Sequence, residues 1–283
     1  MSSPRFPRSF AQTDAGRIAW REHGDARQRA ALFVHGVFLN GDLWNGVAER
    51  VSDLRRCIAP DLLAHGFSEE REGADVSFAG QADMLAQLLD ALELERVDLV
   101  ANDSGGGIAQ ILAARHPERI ATLTLTNCDT HDGWPPPAFA PTVELARQGG
   151  MPALLRAFAA DPEAARNAFS VGLEHPDKLA DDQLRGFFEP LVRSPARVTA
   201  FERFFHAMDC AQTVAIEPGL RRLEAPALIV WGGADVFFER RWAYWLRDTL
   251  PNVRRLVELP TAKLFFPLDR AEDLAAELRA HWR

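Results

Sequence analysis

The stretch LVANDSGGGIAQ, which runs from Leu99 to Gln110, decides the fold of this chain. It begins in an apolar run typical of a buried strand, continues through a polar pair and three glycines, and ends in the apolar start of a helix. A turn this sharp needs small residues on both sides of the side chain at its tip, where the backbone is strained. The stretch therefore predicts a nucleophile elbow, a turn that holds one reactive side chain out from the backbone.

Two residues compete for the tip of this turn. With Asp103 at the tip, the residues two before and two after it are Ala101 and Gly105, and both are small. With Ser104 at the tip, the preceding position would be Asn102, which is too large for it. We therefore interpret Asp103 as the reactive residue on steric grounds.

A glycine-rich nucleotide-binding loop is the alternative interpretation of the same glycines. Gly105 and Gly107 begin a GxGxxG pattern, but Gln110 stands where the last glycine of that pattern would be. The match to a dinucleotide-binding loop is therefore weak.

The composition of the chain bounds its class and its partners. Its 283 residues, 47% hydrophobic and 25% charged, are ordinary for a globular protein with a large core. A formal net charge of −8 argues against nucleic acid and anionic membrane as partners. Three widely spaced cysteines indicate neither a disulfide framework nor a zinc site, and no signal peptide or membrane span is evident. We predict a cytoplasmic monomer or homodimer that binds a small-molecule substrate.

The order of the predicted elements indicates a mostly parallel, doubly wound α/β sheet. Apolar runs predict strands at 17–22, 30–34, 56–59, 97–101, 120–126, 227–231 and 253–259. Apolar residues at helical spacing predict helices at 78–94, 239–250 and 271–282. Strands that alternate with helices in this way imply a parallel sheet with right-handed crossovers.

This alternation is interrupted once, after the strand at 120–126. A connector with three consecutive prolines follows, and from there to about residue 224 the sequence shows helical patterns alone. An insertion of about 90 residues is too long for a loop, so we predict a helical lid. We assign 1–130 and 220–283 to a core domain and 131–219 to a helical cap domain.

In this order the motifs resemble those of the α/β-hydrolase fold superfamily over nearly the whole chain. His35-Gly36 lies where that family has its oxyanion loop, and the cap follows the sixth strand of its sheet. The segment WGGADVFF, 231–238, resembles the loop that bears the acid of the catalytic triad, which implies that role for Asp235. An aspartate at the elbow tip narrows the resemblance to haloalkane dehalogenases, epoxide hydrolases and their relatives.

The chemistry of such a site follows from its residue types. A carboxylate at the tip attacks an electrophilic carbon and forms an ester intermediate. The backbone N–H groups of Val37 and Ser104 would hold the developing anion. A histidine oriented by a carboxylate would then activate water to cleave the ester. We expect neither a metal nor an organic cofactor.

The histidine that the resemblance implies is missing from its usual loop. That loop precedes the last helix, and here it reads LPTAKLFFPLDRAED, 259–273. Alignment on Asp269 places Leu264 at the histidine position, with Lys263 just before it. A desolvated lysine can act as a base, but two neighbouring carboxylates would keep this one charged. We therefore expect Lys263 to act electrostatically or to lie at the surface.

Residues from elsewhere in the chain are alternatives for the missing roles. His131, at the start of the cap, and His206, on a predicted cap helix, could reach the site from above, although surface or structural histidines are more common. Asp129 is an alternative acid, because some relatives carry the acid directly after the sixth strand. Otherwise Asp129 is a turn residue.

The resemblance also indicates where a substrate would lie. Dehalogenases of this family usually hold the halide with a tryptophan directly after the nucleophile, where this chain has Ser104. Their second halide donor commonly follows the His-Gly pair, where this chain has Val37. Asn40 or Trp44 could replace the missing donor, although each could equally well shape the loop. Family epoxide hydrolases use cap tyrosines, whereas Tyr244 lies outside the predicted cap. The predicted substrate pocket consists of Asn40, Trp44, His131, Trp134, His206 and Leu264.

Three hypotheses for function follow. The first is a cap-bearing hydrolase that uses Asp103 as nucleophile on a small, largely apolar electrophile such as a haloalkane, an epoxide or an ester. The second is a lyase or isomerase in which Asp103 acts as an acid or base. The third is a non-catalytic ligand-binding protein on a hydrolase scaffold, because the usual base is absent.

Overall fold

A nine-stranded sheet forms the centre of the structure, a computed structural model that describes residues 8–283. Its strands are β1 (Arg8–Thr13), β2 (Gly16–His23), β3 (Ala30–Val34), β4 (Arg56–Pro60), β5 (Glu69–Glu70), β6 (Val97–Asp103), β7 (Ile120–Cys128), β8 (Ala227–Gly232) and β9 (Val253–Leu259). They are ordered β1-β2-β4-β3-β6-β7-β8-β9, with β5 paired to β2. β2 pairs antiparallel with β1, β4 and β5, and the remaining pairs are parallel. The predicted, mostly parallel fold class is confirmed.

Helices cover the sheet and also form the insertion between β7 and β8. They are α1 (Asn45–Val51), α2 (Phe78–Ala91), α3 (Ser104–Arg115), α4 (Ala140–Arg147), α5 (Met151–Ala160), α6 (Pro162–Phe169), α7 (Asp181–Val192), α8 (Pro195–Ala207), α9 (Cys210–Ala215), α10 (Glu217–Leu220), α11 (Arg240–Thr249), α12 (Phe266–Asp269) and α13 (Ala271–His281). Every residue of β3, β6, β7 and β8 is buried. Because helices cover both faces of a parallel sheet, these strands are apolar without alternation.

Local sequence signals set several of the helix starts. The Ser77 side chain accepts a hydrogen bond from the Gly80 N–H at the start of α2, and Ser194 caps α8 in the same way. The Asp161 carboxylate caps α6, whose first residue is Pro162. Side chains of this kind satisfy backbone N–H groups that have no partner within the helix, and proline in the first turn has no N–H to lose.

The insertion forms a cap with its own apolar core. Helices α5, α7 and α8 pack together, and Phe187, Phe188, Phe201 and Phe204 between them are 0–1% exposed. Helices α9 and α10 pack instead on α3 of the central sheet. The part of the insertion that covers the site therefore ends with α8. The division into a core domain (1–130 and 220–283) and a cap domain (131–219) stays a prediction. Residues 1–7 of the predicted core domain lie outside the described residues.

The structure adds elements that the sequence pattern did not predict. β1 forms the antiparallel edge of the sheet, and the two-residue strand β5 makes the strand before the cap the seventh rather than the sixth. The loop after β9 contains the short helix α12. Within residues 8–283, each helix is too short or too polar to span a bilayer.

Candidate active site

Asp103 lies at the sharp turn between β6 and α3. Its φ of 59° and ψ of −139° are values that a residue with a side chain adopts only under strain. Two glycines make the turn possible, because a Cβ on Gly105 would collide with the His35 carbonyl oxygen and one on Gly106 with the Cys128 side chain. The turn therefore has the aspartate, and not the serine that follows it, at its tip.

The Asp103 carboxyl group is buried between positive partial charges and a second acid. The residue is 5% exposed, and its Oδ2 atom has no hydrogen-bond partner among the described residues. Burial raises the pKa of Asp103 to about 7, and the nearby charge of Asp235 acts in the same direction. The N–H groups of Ser104 and Val37 lower this pKa, but by less than burial raises it. These two N–H groups, together with the N-terminus of α3, favour negative charge at this point.

Asp235 lies in the loop that follows β8 and is held by three donors. Its Oδ2 accepts hydrogen bonds from Asn127 Nδ2 at 2.8 Å and from the Phe238 N–H at 3.3 Å, and its Oδ1 accepts one from the Phe237 N–H at 2.9 Å. Burial raises the pKa of Asp235 to about 6, against the effect of these bonds. The carboxyl group is therefore fixed in position and close enough to influence Asp103.

A third carboxyl group, that of Asp129, is buried beside the elbow. The residue is 1% exposed, its backbone N–H donates to the Asp103 carbonyl oxygen, and its Cβ lies against Gly107 of α3. Neither of its carboxyl oxygens has a hydrogen-bond partner within residues 8–283. Burial, and then the charge of Asp103, raise its pKa well above the ordinary value. Both effects disfavour the charged form of Asp129.

The loop between β9 and α13 presents a leucine to the site. Leu264 is 3% exposed, and its carbonyl oxygen accepts a hydrogen bond from Asn102 Nδ2 at 3.0 Å. This bond fixes the loop against the strand that carries Asp103. The Lys263 side chain points elsewhere, because its Nζ donates to the Ser170 carbonyl oxygen of the cap at 3.3 Å. The structure thus places Lys263 at the junction with the cap, outside the cavity that contains Asp103.

A cavity of about 400 Å³ lies between the sheet and the cap, with the Asp103 carboxyl in its wall. Val37 and Leu264 line it beside Asp103, and Trp134 lines it from the hinge of the cap. The rest of the wall is almost wholly apolar and rich in phenylalanine, with Phe38, Phe139, Phe158, Phe169, Phe237, Phe238 and Phe265. Among the lining residues in the described part of the chain, Asp103 is the one with an ionisable side chain.

Comparison with known proteins assigns this architecture to one family. A family model described as alpha/beta hydrolase fold matches residues 31–269, which is most of the chain. The chain belongs to the α/β-hydrolase family. The chain is 27% identical to haloalkane dehalogenase 2 of Mycobacterium bovis over 292 aligned positions, which cover 96% of this chain and 94% of that protein.

Other relatives of the hydrolase match over shorter stretches. It is 46% identical to the 2-hydroxymuconate semialdehyde hydrolase of Pseudomonas sp. CF600 over 82 residues, 29% of either chain. The chain spans only 28–41% of the length of the first curated relatives that it matches. The crystal structure of Cfl2 from Burkholderia cenocepacia has a TM-score of 0.82 at 21% identity and covers 99% of this chain and 98% of that one, which shows the same fold.

The two polar residues predicted to replace a halide donor do not line the cavity of the hydrolase. Asn40 is buried, and both ends of its amide are already used: Nδ2 donates to the Gly186 carbonyl oxygen, and Oδ1 accepts from the Asp42 N–H. Trp44 is fully buried in the core, with its ring centroid 5.3 Å from that of Phe33. The prediction for Asn40 and Trp44 is therefore wrong, because both are structural residues of the loop that follows β3.

The two histidines predicted to reach the site also lie elsewhere. His131 contacts the carboxylates of Asp132 and Glu217 through its two ring nitrogens, and its ring lies on Trp245. His206 is exposed on the outer side of α8. Over residues 8–283, no histidine lines the cavity. In the part of the chain that the structure describes, the predicted histidines His131 and His206 therefore do not reach Asp103.

Several aromatic residues of the wall were missed by the sequence analysis, although a signal for them exists. Phe38 follows the oxyanion loop, Phe237 and Phe238 follow Asp235, and Phe265 follows Leu264. Each is the immediate or near neighbour of a residue predicted to belong to the site. A search for large apolar side chains next to those motifs would have found them.

The cap is fastened to the core on two sides. On one side Arg197 of α8, 6% exposed, donates to the carbonyl oxygens of His65, Gly66 and Ser68 and to the Glu70 carboxylate. On the other side residues 263–270, which we call the strap, bind the cap segment 170–178.

Within the described chain, no cluster of three His, Cys, Asp or Glu side chains is arranged to hold a metal ion.

Proposed function

We propose that this α/β-hydrolase uses Asp103 as a nucleophile on a small, largely apolar electrophile, and that the ester it forms is long-lived. The observation that carries the proposal is the strained elbow, which places the Asp103 carboxyl group in the wall of an apolar cavity. Strain of this kind is kept where a side chain must be presented to a reacting group. Haloalkanes, epoxides and activated esters are the substrate classes that we propose to test first.

In the first step a carboxylate oxygen of Asp103 forms a bond to the electrophilic carbon. The bond from that carbon to its leaving atom breaks, and the electron pair goes to the departing halide or, in an epoxide, to the ring oxygen, which stays attached and takes up a proton from solvent. The product from a haloalkane or an epoxide is an ester of the Asp103 side chain. An activated ester, attacked at its acyl carbon, would lose its alkoxide and give a mixed anhydride of Asp103. The near-neutral pKa of Asp103, about 7, favours this step, because a poorly solvated carboxylate is a stronger nucleophile than one in water.

In the second step water would add to the carbonyl carbon of that ester. The N–H groups of Val37 and Ser104 are placed to receive the oxyanion, after which the alcohol leaves and Asp103 is restored. The base that should take the proton from water is missing, because Leu264 lies where the family has its histidine. Loss of such a base costs on the order of 10⁴–10⁶ in rate, so we expect the ester to accumulate.

Intact-mass analysis of the purified chain tests this proposal. We expect incubation at pH 8 with a 1-bromoalkane or a terminal epoxide to add one alkyl or hydroxyalkyl mass as an ester, and incubation with an activated ester to add one acyl mass as a mixed anhydride. Peptide mapping should place the added mass on Asp103, and Asp103→Asn should remain unmodified. If no compound of these classes adds mass to the wild-type chain, the nucleophilic proposal fails.

The missing base also favours a second candidate, a ligand-binding protein on the hydrolase scaffold. In that case ligands would raise the Tm of the chain without forming product, and Asp103→Asn would bind as well as the wild type. If the chain is instead a lyase or isomerase that uses Asp103 as an acid or base, it would turn over its substrate without forming a covalent adduct. In that case Asp103→Asn would abolish turnover.

A further inference from the structure

The cavity combines an aromatic wall with a negative charge that the chain does not compensate. Asp103 is buried, and its Oδ2 lacks a hydrogen-bond partner within residues 8–283. The rings of Phe38, Trp134, Phe237 and Phe265 are among those that line the same space. The faces of such rings carry negative partial charge and attract cations, most strongly where water is excluded.

Within residues 8–283, no cationic side chain lines the cavity beside Asp103. The groups around Asp103 are the carboxyls of Asp129 and Asp235, which come from the ends of β7 and β8. The His35 ring, at the end of β3, accepts from the Leu62 N–H and has its pKa lowered to about 4 by burial, so it is neutral. Lys263, after β9, is turned to the cap. In the described chain the ionised Asp103 therefore has only the two N–H groups and the end of α3 as partners.

We infer that the cavity is a binding site for a lipophilic organic ammonium ion. The charged nitrogen contacts the Asp103 carboxylate, and the apolar part of the ligand lies against the aromatic wall. The ligand thereby supplies the positive charge that the chain lacks, because a buried carboxylate is stable only when it is paired and hydrogen-bonded. This binding needs the charge of Asp103 but not its attack on carbon, so it goes beyond the proposed function.

The size of the cavity limits the ligand. At about 400 Å³ it lies at the lower end of the roughly 300–1,000 Å³ typical of small-molecule sites. An amine with one ring or a short alkyl chain fits this description, whereas a polycyclic amine does not. The aromatic wall favours primary to quaternary ammonium ions alike, since a cation–π contact needs no N–H donor.

Calorimetric titration of the full chain with matched probes tests the inference. Benzylammonium and benzyl alcohol have the same shape, and they differ mainly in charge. At pH 8 we expect benzylammonium to bind about 30-fold more tightly than the alcohol, and benzoate to bind more weakly than either. Asp103→Asn should reduce benzylammonium to the affinity of the alcohol and leave the alcohol itself within a few-fold, which shows that the cavity has stayed intact.

Two controls distinguish the effect of the Asp103 charge on ammonium binding from that of the net negative charge of the protein. Asp248→Asn removes one exposed negative charge away from the cavity, and we expect it to leave the 30-fold preference unchanged. Benzyltrimethylammonium carries a charge that does not depend on pH. We expect its affinity to rise between pH 5.5 and 8.5, as Asp103 loses its proton with a pKa of about 7.

The outcomes distinguish this inference from the proposed function. If the alcohol binds as well as the ammonium, or if Asp103→Asn keeps the preference, the ammonium site is refuted even where electrophiles modify Asp103. If benzylammonium shows the preference while no electrophile adds mass, the ammonium site stands and the nucleophilic proposal fails.

Discussion

The elbow after β6 and the strap after β9 belong to the same site but have been shaped differently. At the elbow the strained Asp103, the small residues around it and the two facing N–H groups are all present. At the strap, the residues that line the cavity are Leu264 and Phe265, whose side chains are apolar and cannot take up a proton. The comparison teaches that two loops of one site can differ in chemistry, since one supplies an ionisable group and the other an apolar wall.

The hydrogen bonds of the strap indicate what that loop does instead. The Phe265 N–H donates to the Gly172 carbonyl oxygen at 2.8 Å, and the Phe265 ring stacks on that of Phe169. Asp269 accepts hydrogen bonds from the N–H groups of Glu174 and His175 at 2.7 and 2.8 Å. A loop that carries a catalytic base in the family's pattern thus connects the core to the cap in this chain.

Restoring a base to the strap should have the largest effect. Residue 264 lines the cavity, and Asn102 fixes its backbone, so we expect Leu264→His to speed hydrolysis of the Asp103 ester by roughly 10²–10⁴-fold. The decay of the adduct is followed by intact mass after the electrophile is removed. Leu264→Gln is the matched control, polar but not basic, and it should leave the ester long-lived. Equal decay in both variants would show that residue 264 does not reach the ester.

Glycine-to-alanine changes at the elbow (Gly105) and in the cap segment that binds the strap (Gly172) test which region accommodates an added methyl group less easily. A Cβ on Gly105 would collide with backbone, which cannot move, so we expect Gly105→Ala to lower the free energy of unfolding by about 3 kcal/mol or more. Gly172→Ala meets the Phe265 ring at 2.7 Å, and this ring can rotate, so the expected loss is about 1–2 kcal/mol.

Urea denaturation measures both changes. Gly186→Ala is the control, because Gly186 lies within α7 and an added Cβ would have Asp42 Oδ2, 3.9 Å away, as its nearest neighbour. We expect this variant to gain up to about 1 kcal/mol in the free energy of unfolding. A larger loss for Gly172→Ala than for Gly105→Ala would contradict the proposed difference in rigidity.

The buried acid at the elbow should make stability depend on pH. Because the pKa of Asp103 is raised from its ordinary value to about 7 in the folded chain, its contribution is fully present below pH 4 and is lost as pH rises through 7. Asp103→Asn removes this loss, so the variant should gain on the order of 1–3 kcal/mol over the wild type between pH 5 and pH 8. Thermal unfolding at both pH values measures it, and a constant difference in Tm would exclude a buried, titrating Asp103.

The smallest effect is expected from the strap's own carboxylate. Asp269→Asn retains the size of the side chain but weakens two hydrogen bonds to cap N–H groups, which costs about 1–2 kcal/mol locally. Hydrogen exchange of the Glu174 and His175 amides should quicken, while that of β6 stays unchanged. Uniform quickening throughout the chain would instead indicate a general loss of stability.

The sequence predicted the parts of the fold that repeat a simple pattern. The predicted strands at 30–34 and 253–259 have the same bounds in the structure: the first is a wholly apolar run, and the second alternates β-branched and leucine residues with charged ones. β1 was missed, since it is an edge strand whose residues are mostly half-buried or exposed, so its sequence is not distinctly apolar. Helix α12 was missed because four residues carry too little periodicity to read.

The candidate site was predictable only where the backbone itself imposes the residue type. The turn at Asp103 requires small neighbours, and those can be read from one sequence. His206 could not be placed, because Phe204 and Phe205 before it are buried while it is exposed, and the facing of a cap helix depends on its neighbours in space. Asn40 likewise looked free to bind a ligand, whereas both ends of its amide are used by the backbone.

The two fastenings of the cap have a consequence for the route by which a ligand exchanges with solvent. With Arg197 bound on one side and the strap on the other, release by swinging the cap would require breaking both sets of hydrogen bonds. The exposed lining residues lie instead in two short cap segments, at 138–141 and 168–171. We therefore expect a ligand to exchange between these segments, where the side chains of Ala138 and Ala168 are small and exposed.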